Sequence, residues 1–416
     1  MNFLETLILG IYGFIVFVWV ARHAAYTWIA RGFAVLRADS PRYAGAEPPR
    51  VTAIIPAKDE EAVLGGCLET VVAQSYPNLE ILVVNDRSGD GTESIAREAE
   101  ARDDRVRLIN IRDLPDGWTG KTHALHVATR EAAGDWLWFV DADTRHHADA
   151  LSIMLEHGRR NQAALVSLVP ELRCETFWEK ALQPLEGIVL MRSFSQREVN
   201  NDSSPVGFAN GQNILVEREA YEAVGGHDAV RERFVEDIYM AKNVKASGRP
   251  IRLAIGTEIS STRMYTNLGQ IVRGWSRILY DALDRRVGSL VGKIIEPLFF
   301  SQTGDVAFVV SIGMLLLGHR TAFAWWLFGL SVVHQVLKTT MLYRLYRVTA
   351  PRTAHYAVWY GVAGVVSAWI SLDAIRSCLT GNVTWRGTRY RQTNAMKGQA
   401  ERFAATEAVS SPREGA

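Results

Sequence analysis

Between about Arg50 and Arg249, short β-branched apolar runs alternate with stretches of helical period. No other feature narrows the fold so far, because this alternation is the signature of an α/β domain built on a mostly parallel sheet. The runs "VTAIIPA", "LEILVVND", "VRLINI" and "DWLWFVDA" are predicted as buried strands. Between them "EAVLGGCLETVVAQ", "GTESIAREAEAR" and "KTHALHVATREAA" have the spacing of amphipathic helices. Ligands of such open sheets bind beyond the carboxyl ends of the strands, so the functional residues are to be sought there.

Acids collect at those ends. The first strand runs into Pro56, Lys58, Asp59 and Glu60, the second into Asn85 and Asp86, and the fourth into Asp141 and Asp143. Any one of these acids reads equally well as a helix cap or turn residue, but several strand ends converging on one edge point to a ligand. "FVDADT" is the sharpest local pattern. An apolar strand running into two acids one residue apart puts both at the sheet edge, where their oxygens can hold a hard cation that also takes phosphate oxygens.

Lys121, beside Gly120, opens a predicted helix, the end at which the macrodipole disfavours a cation. Two readings stay open: an exposed lysine tolerated at small cost, or a residue facing an anionic ligand at a helix N-terminus. Further on, "RFVEDIYMAKNVKASG" begins with Glu236 and Asp237 and continues at helical spacing. These acids are either dipole partners of a first turn or a base aimed into the cleft.

The two ends of the chain differ from its middle. "FLETLILGIYGFIVFVWVA" is long and apolar enough to cross a bilayer. Nothing basic precedes it, whereas Arg22, His23, Arg31 and Arg37 come after it. That order argues against a cleaved signal peptide and places the middle of the chain in the cytoplasm. "PLFFSQTGDVAFVVSIGMLLLG", "TAFAWWLFGLSVVHQVL" and "HYAVWYGVAGVVSAWISL" are further candidates, the first with an acid, Asp305, that is costly at membrane depth. The basic stretch with Lys338, Arg344, Arg347 and Arg352 and the basic tail with Arg376, Arg386, Arg389 and Arg391 both favour the cytoplasm. One simple span between them cannot satisfy both. A net charge of +1 with 22% charged residues gives no sign of a nucleic-acid partner. Cys67, Cys174 and Cys378 have no pair or ligand spacing, so a disulfide framework and a zinc site are not expected and a reducing compartment is.

The motifs "IIPAKDEE", "VVNDRSGDGT", "VDADT" and "VEDI", in that order over roughly residues 50 to 280, resemble those of family 2 glycosyltransferases with a GT-A fold. Within the family, "LPDGWTGKTHAL" and "VTWRGTRY" are similar to bacterial hopanoid-associated and carotenoid glycosyltransferases and, more distantly, to ceramide glucosyltransferases. The resemblance implies a nucleotide-sugar donor (a UDP- or GDP-sugar), Mg2+ or Mn2+, and a lipid acceptor. It implies that Asp86 contacts the nucleotide base, that Pro56, Asp59 and Glu60 run along the nucleotide pocket, and that Asp141 and Asp143 serve the ribose and the metal-diphosphate unit, with Asp143 on the metal. It makes Asp237 the base that takes the acceptor's proton as the anomeric carbon inverts. Many members carry Gln-x-x-Arg-Trp after the base, whereas this chain has "QIVRGW", with Gly274 between Arg273 and Trp275. Arg273 is then the candidate for the diphosphate and Trp275 for the acceptor site.

The expected organisation is a transmembrane helix over 1–22, a juxtamembrane linker over 23–49 and a GT-A domain over 50–290. A membrane domain of two to three helices over 291–375 and a basic, then disordered, tail over 376–416 complete it. The expected activity is inverting transfer of a sugar to a hydroxyl or carboxyl of a hopanoid, carotenoid or other lipid, at a cytoplasmic membrane with the catalytic domain inside. The alternatives are a polyisoprenyl-phosphate glycosyltransferase, a polysaccharide synthase and a non-catalytic membrane scaffold.

Overall fold

The computed structural model describes residues 1–385 and 388–391. After α1 (Phe3–Ala30) come β1 (Val51–Ala57), α2 (Leu64–Val72), β2 (Leu79–Asp86), α3 (Thr92–Arg102), β3 (Val106–Ile111), α4 (Gly120–Glu131) and β4 (Trp136–Val140). These are the alternating elements expected from the sequence. The chain continues through β5 (Thr144–His146), α5 (Ala150–Arg160), β6 (Leu165–Val169), β7 (Glu171–Leu172), α6 (Phe177–Met191) and α7 (Gln196–Val199). Next come β8 (Asn213–Glu217), α8 (Arg218–Ala223), α9 (Glu236–Ala246), β9 (Ile251–Ile255) and β10 (Ser260–Thr262).

Seven strands form one sheet in the order β3-β2-β1-β4-β8-β6-β9. β8 runs antiparallel to both β4 and β6, and the other neighbours are parallel. A small sheet, β5-β10-β7, stands beside it. The continuous apolar runs are explained by cover on both faces. Ile54, Leu82 and Leu137 pack on one side with Leu125 of α4 and Ile238 of α9. The adjacent Ile55, Val83 and Trp138 point the other way, onto Leu64 of α2 and Met154 of α5. Truncating Ile54 to Ala would leave a cavity in the first layer and cost about 2–5 kcal/mol.

Beyond the sheet lie α10 (Leu268–Ala282), α11 (Val287–Pro297), a π turn (Leu298–Gln302), α12 (Thr303–Leu316) and α13 (Ala322–Thr349). A 3-10 segment (Pro351–Trp359), α14 (Tyr360–Thr380) and the hairpin of β11 (Asn382–Trp385) and β12 (Thr388–Arg391) complete the described chain. α6, α10 and α14 share a core through Leu182, Leu185, Ile271, Leu279 and Ile370. α1 packs on α13 through Tyr12, Ile15, Trp19, Leu327 and Met341.

Among the described residues, three helical stretches are long and apolar enough to cross a membrane: Phe3–Ala30, Val287–Leu316 and Pro351–Thr380. The expected span at 321–337 lies in α13, which has the length but carries His334, Gln335 and Lys338 where that span would end. The tail expected over 376–416 begins inside α14; its residues 386–387 and 392–416 lie outside the described residues.

Candidate active site

The carboxyl ends of β1, β2 and β4 meet the N-terminal ends of α4 and α9 in one cleft. β4 stops where Thr144 folds back, its N–H and hydroxyl both donating to Asp141 O, at 3.2 and 2.7 Å. This tight turn holds Asp141 and Asp143 at the rim, both half-buried. Thr262 Oγ1, from the small sheet, donates to Asp143 Oδ1 at 3.3 Å. Burial, with Asp141 and Glu60 nearby, pushes the Asp143 carboxyl well above the usual carboxylate range, and Lys121 and Thr262 offset only part of this.

Lys121 is the hub. Thr119 caps α4, accepting from Thr122 N, and delivers Lys121 in the first turn. Its Nζ lies 2.8 Å from Asp141 Oδ1 and 2.9 Å from Glu236 Oε1. Burial opposes its charge, but Asp141, Glu236 and Asp237 outweigh burial and hold its pKa well above the ordinary value. The cation at a helix start is thus answered by acids of the protein itself. Sequence reasoning missed the partner, Glu236, a buried residue 115 positions away with no local signal to connect the two.

Asp237 stands beside Glu236 at the start of α9. Its Oδ2 accepts from Gly211 N at 2.6 Å and its Oδ1 from Ile238 N at 2.9 Å. A Cβ at position 211 would lie 2.8 Å from Asp237 Oδ2, so this approach needs glycine. Burial and the Glu236 charge push the Asp237 carboxyl well up, against Lys121 and the two amides.

Asp86 ends β2 buried, with Arg87 bonded to it through Nε at 2.7 Å and Nη2 at 3.0 Å. A Cβ at Gly120 would come within 2.5 Å of Asp86 Oδ2, so glycine lets α4 close on this carboxylate. The loops after β1 and β2 are stitched together: Asp59 Oδ1 accepts from Gly89 N, Glu61 Oε2 from Gly91 N, and Glu60 N donates to Thr92 Oγ1. Asp59 is exposed, in a left-handed conformation with φ 53°, and acts as a staple. Pro56 lies at the end of the β1–β2 ladder, opposite Val84.

Arg273 and Trp275 fall on α10, which Asn267 caps by accepting from Gln270 N. Arg273 is exposed. Trp275 is buried in the core shared with α6 and α14, not among the carboxylates. The glycine between them is explained by Tyr265, whose ring would meet a Cβ at position 274 at 2.1 Å.

Residues 52–225 match the family described as glycosyl transferase family 2. The 4,4'-diaponeurosporenoate glycosyltransferase of Staphylococcus aureus is 27% identical over 272 residues, covering 64% of this chain and 69% of that protein. A mannosyltransferase from Pyrobaculum calidifontis, solved in complex with GDP-Man and Mn2+, matches with a TM-score of 0.50 at 19% identity, covering 89% of this chain and 98% of the other. Sheet order and these matches agree: residues 52–225 form a glycosyl transferase family 2 domain, and the chain has a GT-A fold.

Proposed function

We propose that this enzyme moves a sugar from a nucleotide-sugar to a hydroxyl or carboxyl of a lipid at the membrane, inverting the anomeric centre, with Asp237 as general base. The setting of Asp237 carries this reading. Two backbone amides fix both of its oxygens, and burial beside Glu236 raises its affinity for a proton. A base whose pKa is drawn toward neutrality is matched to removing an alcohol proton in the transition state. In the step, the acceptor oxygen bonds to the anomeric carbon as its proton passes to Asp237, and the bond to the diphosphate oxygen breaks with the electron pair leaving on the nucleotide.

The strand-end acids suit a divalent metal. Asp143 carries more negative surroundings than Lys121 and Thr262 relieve, and a cation would relieve them. Among the described residues no three His, Cys, Asp or Glu side chains are grouped to hold an ion unaided. That fits Mg2+ or Mn2+ held by one or two carboxylates together with substrate phosphate oxygens. Such an ion, when bound, would stabilise the charge that builds on the leaving diphosphate. Asp143 would hold it with Asp141 alongside, Lys121 keeps Asp141 and Glu236 in place, and Asp86 at the foot of α4 faces the base. Pro56 and Glu60 edge the nucleotide pocket and Asp59 holds its loop. Arg273 is exposed on α10; the family motif is what supports its role at the diphosphate, and that of Trp275 on the acceptor side.

The likeness to the staphylococcal enzyme supports an acceptor of the carotenoid class, and the complex of the Pyrobaculum calidifontis neighbour supports a nucleotide-sugar donor such as a GDP-sugar, with Mn2+. Orientation is argued from the basic residues. Arg344 Nη2 donates to Thr27 Oγ1, which brings the cluster at the end of α13 to the same end of the bundle as Arg22 and Arg31, the cytoplasmic end by the positive-inside rule. The test is mass spectrometry of lipids from cells expressing the wild-type chain or Asp237→Asn. A glycosylated carotenoid or hopanoid present only with wild type supports the reading; a sugar found on polyisoprenyl phosphate, or no lipid difference, contradicts it.

A further inference from the structure

Segment Pro351–Thr380 has the length and apolarity of a span, yet both of its ends are tied to the catalytic domain. At the start, Arg352 Nε lies 3.2 Å from Glu171 Oε1 on β7, and Phe177 of α6 meets Tyr356 and Trp359 edge-on. In the middle, Ser276 Oγ of α10 donates to Ile370 O at 3.2 Å. Toward the end, Ala374, and Val383 just beyond the helix, pack in one core with Leu279 and Tyr280 of α10. α10 is itself fixed to the catalytic domain by Asp281, which accepts from Phe234 N at 2.7 Å and pairs with Arg233 at 3.3 Å. A helix the length of α14 reaches about 31 Å, the thickness of the hydrocarbon core. A crossing would carry its far end to the opposite face of the bilayer, whereas here residues near both ends pack on elements of the catalytic domain.

The outward side of the segment is an apolar stripe. Val358, Val362, Val365, Trp369, Leu372 and Leu379 are exposed, Trp369 at 65% and Val365 at 63%. They recur at steps of three, four and seven residues, one face of a helix. α1 and α12 also carry exposed apolar residues, such as Phe17 and Val309. Arg376 falls on the same face, exposed and paired with Asp373 at 3.2 Å, and its remaining donors can reach lipid phosphates while its stem lies along lipid.

We propose that α14 lies along the bilayer surface on the side of the catalytic domain, with this stripe sunk among lipid chains, and does not cross. The basic residues before it and those after it then remain on one side, as positive-inside placement requires. α14 underlies α10 and α6, so it holds the catalytic domain against the surface that supplies a lipid acceptor.

The proposal rests on the membrane-spanning reading of α1, α12 and α13, and the test separates the two. Full-length protein with Cys174 and Cys378 replaced by Ser, leaving the buried Cys67, is placed in sealed vesicles of phosphatidylethanolamine and phosphatidylglycerol. Single cysteines replace Asp113 in the catalytic domain, His319 in the α12–α13 loop, and Thr380 or, as a second choice, Leu379 at the end of α14. Variants that melt as the parent does are treated with an impermeant maleimide before and after permeabilisation. The expected result is that 380 and 379 behave like 113 and opposite to 319. A fluorophore on Cys at 365 or 369 should be quenched several-fold more by lipid-borne than by aqueous quencher. Labelling of 380 with 319, or aqueous quenching of the stripe, overturns the proposal. Labelling of 319 with 113 would refute the α12–α13 crossing alone, and quenchers placed shallow and deep on the acyl chains would still decide where α14 lies: one common shallow depth for 362, 369 and 379 supports the proposal, and a deep 369 between shallower ends overturns it.

Discussion

Lys121 at the head of α4 and Lys338 in α13 are both ion-paired in the interior, but they face different amounts of charge. Lys338 Nζ meets one acid, Asp305, at 2.5 Å, and Gln335 donates to the same oxygen at 2.8 Å. One cation answers one anion. Lys121 touches Asp141 and Glu236 and lies in the field of Asp237. Three acids share one lysine, with Asp143 and Glu60 beyond. The balanced pair can be read as a fixed joint between helices, whereas the unbalanced cluster is suited to gaining a cation and to moving a proton.

Removing each lysine should separate the two cases. Lys121→Met leaves three acids facing one another, and breaking buried pairing of this kind costs about 3–5 kcal/mol, a fall in melting temperature on the order of 10 °C. Lys338→Met should also destabilise, but adding Asp305→Asn should restore most of the loss because no charge is then left over. Adding Glu236→Gln to Lys121→Met should restore only part. Thermal melting in detergent measures all four variants, and full recovery in both doubles would erase the distinction.

A smaller effect is expected from Asp143→Asn. It should remove most of the metal-dependent part of donor affinity while leaving the melting temperature within a few degrees of wild type. Calorimetry with GDP- or UDP-sugar, with Mn2+ or with chelator, reads this directly. Metal-dependent affinity unchanged in the variant would take Asp143 off the metal.

The smallest effect concerns Glu186 of α6, where burial pushes the carboxyl from 4.5 up to about 8 and the Ser367 hydroxyl lowers it only in part. A raised carboxyl holds its proton in the folded state after the unfolded chain has lost it. Its contribution to stability is therefore present below about pH 4.5 and lost as pH rises toward 8. Glu186→Gln should flatten that fall, so that the variant gains on wild type between pH 5 and pH 8 by roughly a few degrees in melting temperature. A parallel pH profile would show that Glu186 does not titrate in this range.

Much of this was legible in the sequence where the signal is local. Strands β1, β2 and β3 match the predicted runs residue for residue, because β-branched stretches buried on both faces leave few other choices. The acids at their ends were visible for the same reason, each lying directly after an apolar run. What could not be read was made by distant contacts. Glu236 reads as a first-turn acid or a base, until Lys121 arrives from another helix. Trp275 is the acceptor-site candidate that the family motif implies, and its packing among α6 and α14 has no local signal in the chain. The antiparallel β8 inserted between β4 and β6 has no signature of its own in the chain. α14 has the composition of a span, and its contact with α10, like that of the preceding Arg352 with β7, has no local signal in the chain.

The central claim is that Asp237 takes the proton and does little to hold the donor. The direct measurement is transfer to lipid by purified wild-type and Asp237→Asn enzyme in vesicles, with donor affinity measured in parallel in the presence of Mn2+. The substitution keeps the size of the side chain and one oxygen that still accepts from Gly211 N or Ile238 N, though not from both, and removes the basicity. Turnover should fall by about 100-fold to 10,000-fold with donor affinity nearly unchanged. Near-normal turnover in Asp237→Asn, or a loss of donor affinity as large as the loss of rate, would contradict the account.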